Sequence, residues 1–329
     1  MSVMRRIMPF IVFIGMVIVS YQAFENPFSN DYIASIKNVS APVSNDQDEL
    51  YQEIKAKAEA YAKPAEDAVL HKVWKKMPGL NGIKVNVEKS YKKMKKQGEF
   101  NEDLLVFEQV PPDVTLEDLP AAPIYRGHPD KKMVALNINV SWGEDHIPTI
   151  LNILKKQHVK ATFFIEGKWA NKHEDLVKMI DEQGHEIGNH AFNHPDMKNL
   201  SAEESQKQIQ DTNKILESIT GNKPKWFAPP SGSFNEDVIK VADELGMETI
   251  LWTVDTVDWK KPAPSVMINR VMGKVHNGAF ILMHPTDPVA EGLTDLILKI
   301  KEKEYKIGNV TTLLDEERIY ITSQKQTNK

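Results

Sequence analysis

From Lys132 to about residue 309 one unit recurs: a short apolar run of strand character, then an amphipathic helical stretch. The strand-like runs fall at 134–140, 161–165, 186–189, 226–228, 249–254, 279–283 and 306–309. Helical periodicity occupies 147–157, 173–183, 202–220, 235–245, 263–275 and 293–304. Strands separated by a helix return parallel, so the repeat calls for a parallel sheet covered by helices. Seven such runs favour closure over an open sheet, and the expected fold is an α/β chain built as a distorted (β/α)7 barrel. In barrels of this kind chemistry collects at the C-terminal ends of the strands.

The residues before this repeat have a different texture. Leu50, Ile54, Ala58 and Tyr61 recur at helical spacing over 48–63, and Pro64 stops that helix. A helix over 65–76, a strand over 83–87, a helix over 88–97 and a strand over 104–110 follow, so 49–112 reads as a small α+β appendage. A Pro-rich linker at 113–131 leads to the main domain at 132–320, with a tail at 321–329. Arg5 and Arg6 precede an apolar run from Ile7 to Val19, which makes residues 1–24 a signal peptide or membrane anchor. A polar stalk at 25–48 joins it to the body, and the basic flank places everything beyond on the outer side of the membrane. No cysteine is present, so a core large enough to dispense with disulfides is implied. The net charge of -5 lacks the basic excess of a phosphate-tracking protein, which argues against nucleic acid as partner.

Polar groups punctuate the strand ends. His190 and His194 lie four residues apart, the spacing of a chelating pair, and neutral imidazole is the commonest protein ligand for zinc. Asn139 precedes Ser141-Trp142-Gly143, Pro229-Pro230-Ser231-Gly232 ends another unit, Asp255 and Asp258-Trp259 another, and His284 the last. Taken singly each has a plain structural reading: a surface histidine, a turn, a helix cap, a core indole.

In this order the pieces resemble the motifs of NodB-homology polysaccharide deacetylases, carbohydrate esterase family four, across about 133–314. The likeness is to a degenerate-motif member of the exported, sporulation-type bacterial group. Gly188-Asn189-His190-Ala191-Phe192-Asn193-His194 resembles the metal-binding histidine motif, and Phe227-Ala228-Pro229-Pro230-Ser231-Gly232 the Arg-Pro-Pro-x-Gly groove wall. Val254-Asp255-Thr256-Val257-Asp258-Trp259 is similar to the Asp-Trp motif, and Ile281-Leu282-Met283-His284 to the Leu-x-His motif. The resemblance implies hydrolysis of N-acetyl or O-acetyl groups on a cell-wall glycan. It implies His190 and His194 on a weakly bound divalent metal, zinc first, with cobalt or nickel as alternatives. It gives His284 as the acid, Asp258 as its tuner, and Pro229, Pro230, Asp255 and Trp259 as substrate contacts. A proton donor is what amide hydrolysis demands, because an amide anion is too poor a leaving group to depart unprotonated.

The opening motif departs from the family's Thr-Phe-Asp-Asp-Gly. Here it reads Asn137-Ile138-Asn139-Val140-Ser141-Trp142-Gly143, with Asn139 in place of the base and Val140 in place of the third metal ligand. A carboxamide takes no proton from water at neutral pH, and Val140 offers a metal no donor atom. Ala228 stands where the family has the arginine that orients the base, so base and partner are lost together. Glu144 or Asp145 would restore a carboxylate if their loop folded inward. The sequence therefore supports a deacetylase of weakened or altered chemistry. The alternative is a glycan-binding pseudoenzyme using Trp142, Trp252 and Trp259 as stacking platforms, or a membrane-tethered scaffold whose appendage carries the function.

Overall fold

The computed structural model describes residues 48–319, together with 12–14 and 16–17. Most of the expected signal peptide or anchor, nearly all of the stalk, and the C-terminal tail lie outside the described residues. No helix among the described residues is long and apolar enough to cross a membrane. The chain divides into two compact units: residues to Ala60 with Val85–Val106, and Tyr61–Lys84 with Phe107 onward.

In the first unit, helices α1 (Glu49–Ala58) and α2 (Val87–Met94) pack through buried Leu50 and Ile54 against Tyr91 and Met94. Asp48 starts α1 by accepting from the Leu50 amide at 3.0 Å, and its second oxygen takes the Tyr91 hydroxyl at 2.8 Å. One side chain thus caps a helix and ties the pair.

The second unit opens with two small antiparallel pairs, β1 (Val69–His71) with β2 (Lys75–Met77) and β3 (Gly82–Val85) with β4 (Phe107–Val110). The helix expected over 65–76 is therefore a hairpin. His71 Nδ1 accepts from the amides of Val73 and Trp74 at 3.1 and 3.0 Å and folds the turn, while Lys75 takes a left-handed φ of 57°. Such local bonds compete with a helix, and long-range pairing of Lys75 with Ile124 decides the outcome.

The main sheet is parallel. Its strands are β5 (Met133–Val140), β6 (Thr162–Ile165), β7 (Glu186–Asn189), β8 (Trp226–Phe227), β9 (Glu248–Thr249), β10 (Val254–Asp255), β11 (Ala279–Met283) and β12 (Lys306–Gly308). They run in the order β10-β11-β5-β6-β7-β8-β9, with β12 joined to the first part of β5. The helices are α3 (Ile147–Lys156), α4 (Gly167–Ala170), α5 (Glu174–Glu182), α6 (Ala202–Thr220), α7 (Glu236–Glu244), α8 (Pro264–Met272), α9 (Asp287–Glu302) and α10 (Val310–Leu314). This is the distorted barrel the repeat called for, with two differences of detail. The run at 249–254 splits into β9 and β10, which do not pair with each other, so the barrel is open there. Helix α9 starts at Asp287 with Pro288 in its first turn, six residues before the apolar periodicity at 293 made it visible.

The open seam is filled from outside the repeat. Ile124 bridges Ile250, donating to Thr249 O and accepting from Leu251 N, both at 2.8 Å. Buried Lys76 pairs with Glu248 of β9 at 2.5 Å.

Strand β5 is buried along its whole length, and its two faces serve different cores. Val134, Leu136, Ile138 and Val140 pack with Ile150 and Leu154 of α3 and Leu293 and Ile297 of α9. Met133 and Ala135 face inward with Phe164, Trp226, Ala228 and Phe280. Period-two alternation thus assigns every odd position of β5 to the barrel interior.

His185, just before β7, is buried against Phe163 and its Nδ1 accepts the Ala161 amide at 3.2 Å, a bond that only the neutral ring makes. Burial, then Lys160, pushes this imidazole down to about 4. The unfolded chain binds the proton near the ordinary 6.5, so stability is full above that value and falls as pH drops toward 4. Urea unfolding at pH 7 and pH 5 is expected to show a loss from this residue of about 2 kcal/mol, absent in His185→Gln. Equal pH dependence in the two proteins would contradict the assignment.

Candidate active site

The inner face of the sheet continues past the strand ends. Glu166 N donates to Val140 O at 2.9 Å, His190 N to Ile165 O at 3.0 Å, and Ala228 N to Asn189 O at 2.9 Å, so the ladder runs one step further. Asn139 shares the inward parity of Met133 and Ala135 and is 4% exposed. Phe164 faces inward, and two residues on stands Glu166. Gly188 lies under the Phe164 ring, where an added Cβ would come within 2.5 Å, and His190 shares its face. Leu282 and Met283 pair with Asn137 and Ile138, so one more step brings His284 beside Asn139. The register therefore gathers Asn139, Glu166, His190 and His284 at one mouth.

His190 is buried, and its Nδ1 lies 2.7 Å from the Ala228 carbonyl oxygen. A carbonyl only accepts, so Nδ1 carries the hydrogen. Burial, then the neighbouring His194, drives this imidazole down to about 3, so the ring is neutral and Nε2 keeps its lone pair. The His194 ring follows with its centroid 5.2 Å away at 71°. Two imidazoles so placed suit a borderline divalent ion such as zinc. Val140 packs outward among the helix-facing residues and takes no part.

Asp258 is wholly buried and accepts four hydrogen bonds. They come from His284 Nδ1 at 3.1 Å, His284 N at 3.2 Å, Thr256 Oγ1 at 2.5 Å and Thr286 Oγ1 at 2.8 Å. Burial raises its carboxyl, but the His284 bond and charge with the two threonines outweigh it and hold the group below the ordinary carboxylate range. His284 is thereby fixed with Nδ1 inward and its other nitrogen toward the mouth. The Trp142 indole stacks on its ring at 5.3 Å and 15°. Gly143, at φ 83°, lets the Trp142 loop lie on the Pro285 backbone, where a Cβ would strike the carbonyl oxygen at 2.0 Å.

Left-handed backbone at residues other than glycine clusters here: Ala191 (φ 60°), His194 (57°), Ser231 (55°) and Val257 (54°). Val257 is β-branched, and Asp255 holds its turn by accepting the Val257 amide at 2.8 Å. Pro229 and Pro230 are buried, and Ser231 meets solvent in their place. Trp142 is 42% and Trp259 51% exposed. Trp252, by contrast, is half-buried and packs on the inner core with its ring edge against Gly232.

The carboxylates expected from the first loop do not arrive. Asp145 is exposed, and the environment of Glu144 is its own backbone, Trp169 and His173. Glu166 occupies the mouth instead. It is 8% exposed, and burial raises its carboxyl against the opposing pull of Ser141, His194, Lys168 and Lys172. The sequence did carry the signal, since Glu166 continues the alternation of the 161–165 run. Among the described residues the one group with three donors at metal spacing lies elsewhere, at Glu66, His128 and Asp130. There His128 Nδ1 accepts the Asp130 amide at 3.2 Å, which leaves the hydrogen on Nε2, and Arg318 occupies Glu66 at 3.1 Å. That cluster is an ion-pair site.

The family model "Polysaccharide deacetylase" matches residues 126–250. Peptidoglycan-N-acetylmuramic acid deacetylase PdaA of Bacillus subtilis is 31% identical over 60% of this chain and 78% of that protein. The uncharacterized protein YlxY of the same organism is 52% identical over 96% of this chain and 99% of its own length. The crystal structure of BA3943 from Bacillus anthracis, described as a CE4 family pseudoenzyme, superposes with a TM-score of 0.78 at 52% identity, covering 83% of this chain and 97% of that one. A mutant of BA3943 with restored enzymatic activity also gives 0.78, at 51% identity over 82% and 99% of the two chains. The chain belongs to the polysaccharide deacetylase family.

Removing Asp258 strands four donors in a buried site. Asp258→Ala is expected to lower stability by about 3 kcal/mol in urea unfolding. A change below about 0.5 kcal/mol would show that the cluster is not the internal tie described.

Proposed function

We propose that this chain is a polysaccharide deacetylase with weakened chemistry, directed at N-acetyl groups of cell-wall peptidoglycan outside the cytoplasm. The observation that carries the reading is the asymmetry of the site: a fully bonded Asp258–His284 pair stands beside Asn139, where the base belongs. The names of the relatives support the two halves of the statement. PdaA is a peptidoglycan deacetylase, and BA3943 is described as a pseudoenzyme.

His284 is the proton donor to the leaving nitrogen, and Asp258 positions it. Asn139 hydrogen-bonds an attacking water without deprotonating it, which removes general-base catalysis worth roughly 10²- to 10⁴-fold. A divalent ion held by His190 and His194, when bound, supplies Lewis-acid polarisation of the acetyl carbonyl. Asp255, Trp259 and the Pro229-Pro230 turn border the sugar. The basic and apolar N-terminal segment exports the domain, as a cleaved signal or as a membrane anchor.

The two exposed indoles, Trp142 and Trp259, favour a second reading in which the same groove holds glycan without turning it over. Acetate release from acetylated chitooligosaccharide with zinc, cobalt or nickel is expected at or near background for the native chain. Asn139→Asp is expected to raise it at least about tenfold, equivalent to about 1.4 kcal/mol of barrier. Brisk turnover by the native chain with no gain in Asn139→Asp would identify a different base. Glycan affinity that withstands chelation and falls in Trp259→Ala would favour the binding role.

A further inference from the structure

We infer that Glu166 is the third protein donor of the metal site, taking from β6 the place that Val140 leaves empty on β5. The inference rests on His190 and His194 as donors and goes beyond that reading in naming their partner. Three observations support it.

Glu166 lies between the two strands that matter. Its amide is bonded to Val140 O of β5, and the carbonyl of Ile165, just before it, takes the His190 amide of β7. Its parity is that of inward-facing Phe164. A carboxylate at this step projects from the same face as His190, one strand over.

It is also a buried acid without an ion-pair partner among the described residues. At 8% exposure its carboxylate has the Ser141 hydroxyl set against it and, more remotely, His194, Lys168 and Lys172. Ser141, next to Val140, has a buried hydroxyl that closes no other bond. A buried carboxylate met by a hydroxyl and by no ion pair, next to a chelating pair, lacks the positive charge that a cation would supply.

The chemistry of the set is consistent as well. Two neutral imidazoles and one carboxylate form a donor combination used by hydrolytic zinc, with a position left for water or substrate. The three donor atoms do not all lie within 4.8 Å of one another. Rotation about the side-chain bonds of Glu166 is the movement that binding requires.

The assignment separates two losses that the sequence presents as one. If Glu166 holds the ion, Asn139 is the decisive defect and the missing carboxylate at Val140 is compensated.

Calorimetric titration of the full chain with zinc chloride, in a buffer containing a competing chelator, tests this directly. The native chain should bind one zinc, His190→Asn should abolish binding, and Glu166→Gln should weaken it at least tenfold. Urea unfolding of chelator-treated protein supplies the control for folding. Glu166→Gln should then be as stable as the native chain or more so, because a buried charge has been removed; a loss of stability would point to a structural role and overturn the proposal. Zinc binding by Glu166→Gln at native affinity, with His190→Asn still silent, would overturn the proposal and leave the histidine pair standing. No zinc binding by the native chain, or undiminished binding by His190→Asn, would overturn both.

Discussion

The ladder around β5 is the constraint on which the site depends. This strand pairs with β11 along one edge and with β6 and β12 along the other, and both of its faces are buried. A slip of one residue would turn Val134, Leu136, Ile138 and Val140 into the barrel and drive Asn137 and Asn139 among the helices. Each of these aliphatic side chains contributes about 1.5–3 kcal/mol on burial, so the packing sets the register and the register aims the mouth residues. Function here is a by-product of which residues fall on the odd positions.

Within that frame the site is half complete. The Asp258–His284 side is over-determined, with four bonds to Asp258 and an indole on His284. On the opposite side, an amide and an aliphatic side chain stand where two carboxylates are expected. The loss is balanced electrostatically. An arginine at position 228 would face Asn139 with no counter-charge, whereas Ala228 leaves nothing to compensate, and its carbonyl still orients His190. Glu166 is buried at the mouth as Asp258 is, and it keeps a carboxylate on the side of the imidazoles.

Much of this architecture was legible in the sequence because it depends on periodicity. The barrel strands were visible as apolar runs, and the histidine pair, Asp258 and His284 stood out as candidates because they follow strand-like runs in a recognisable order. Three features were not legible, each for a physical reason. The hairpin at 69–77 lacks a strand's alternation and is fixed by the partners Ile124 and Glu248, distant in sequence. The split between β9 and β10 reflects a barrel opening, which an uninterrupted apolar stretch does not report. Glu166 follows an apolar run with no motif to mark it, whereas Glu144 and Asp145 adjoin the altered opening motif; parity, rather than nearness in sequence, decides which carboxylate reaches the mouth.

Two neighbouring strand ends, those of β6 and β7, are brought into step by one register and set Glu166 beside His190 and His194. Anomalous diffraction at the zinc edge from crystals grown with zinc tests that most directly. The account predicts one strong peak about 2.0–2.2 Å from a nitrogen of His190, a nitrogen of His194 and an oxygen of Glu166. A mouth without a peak, or a peak at Glu66, His128 and Asp130 instead, would contradict it.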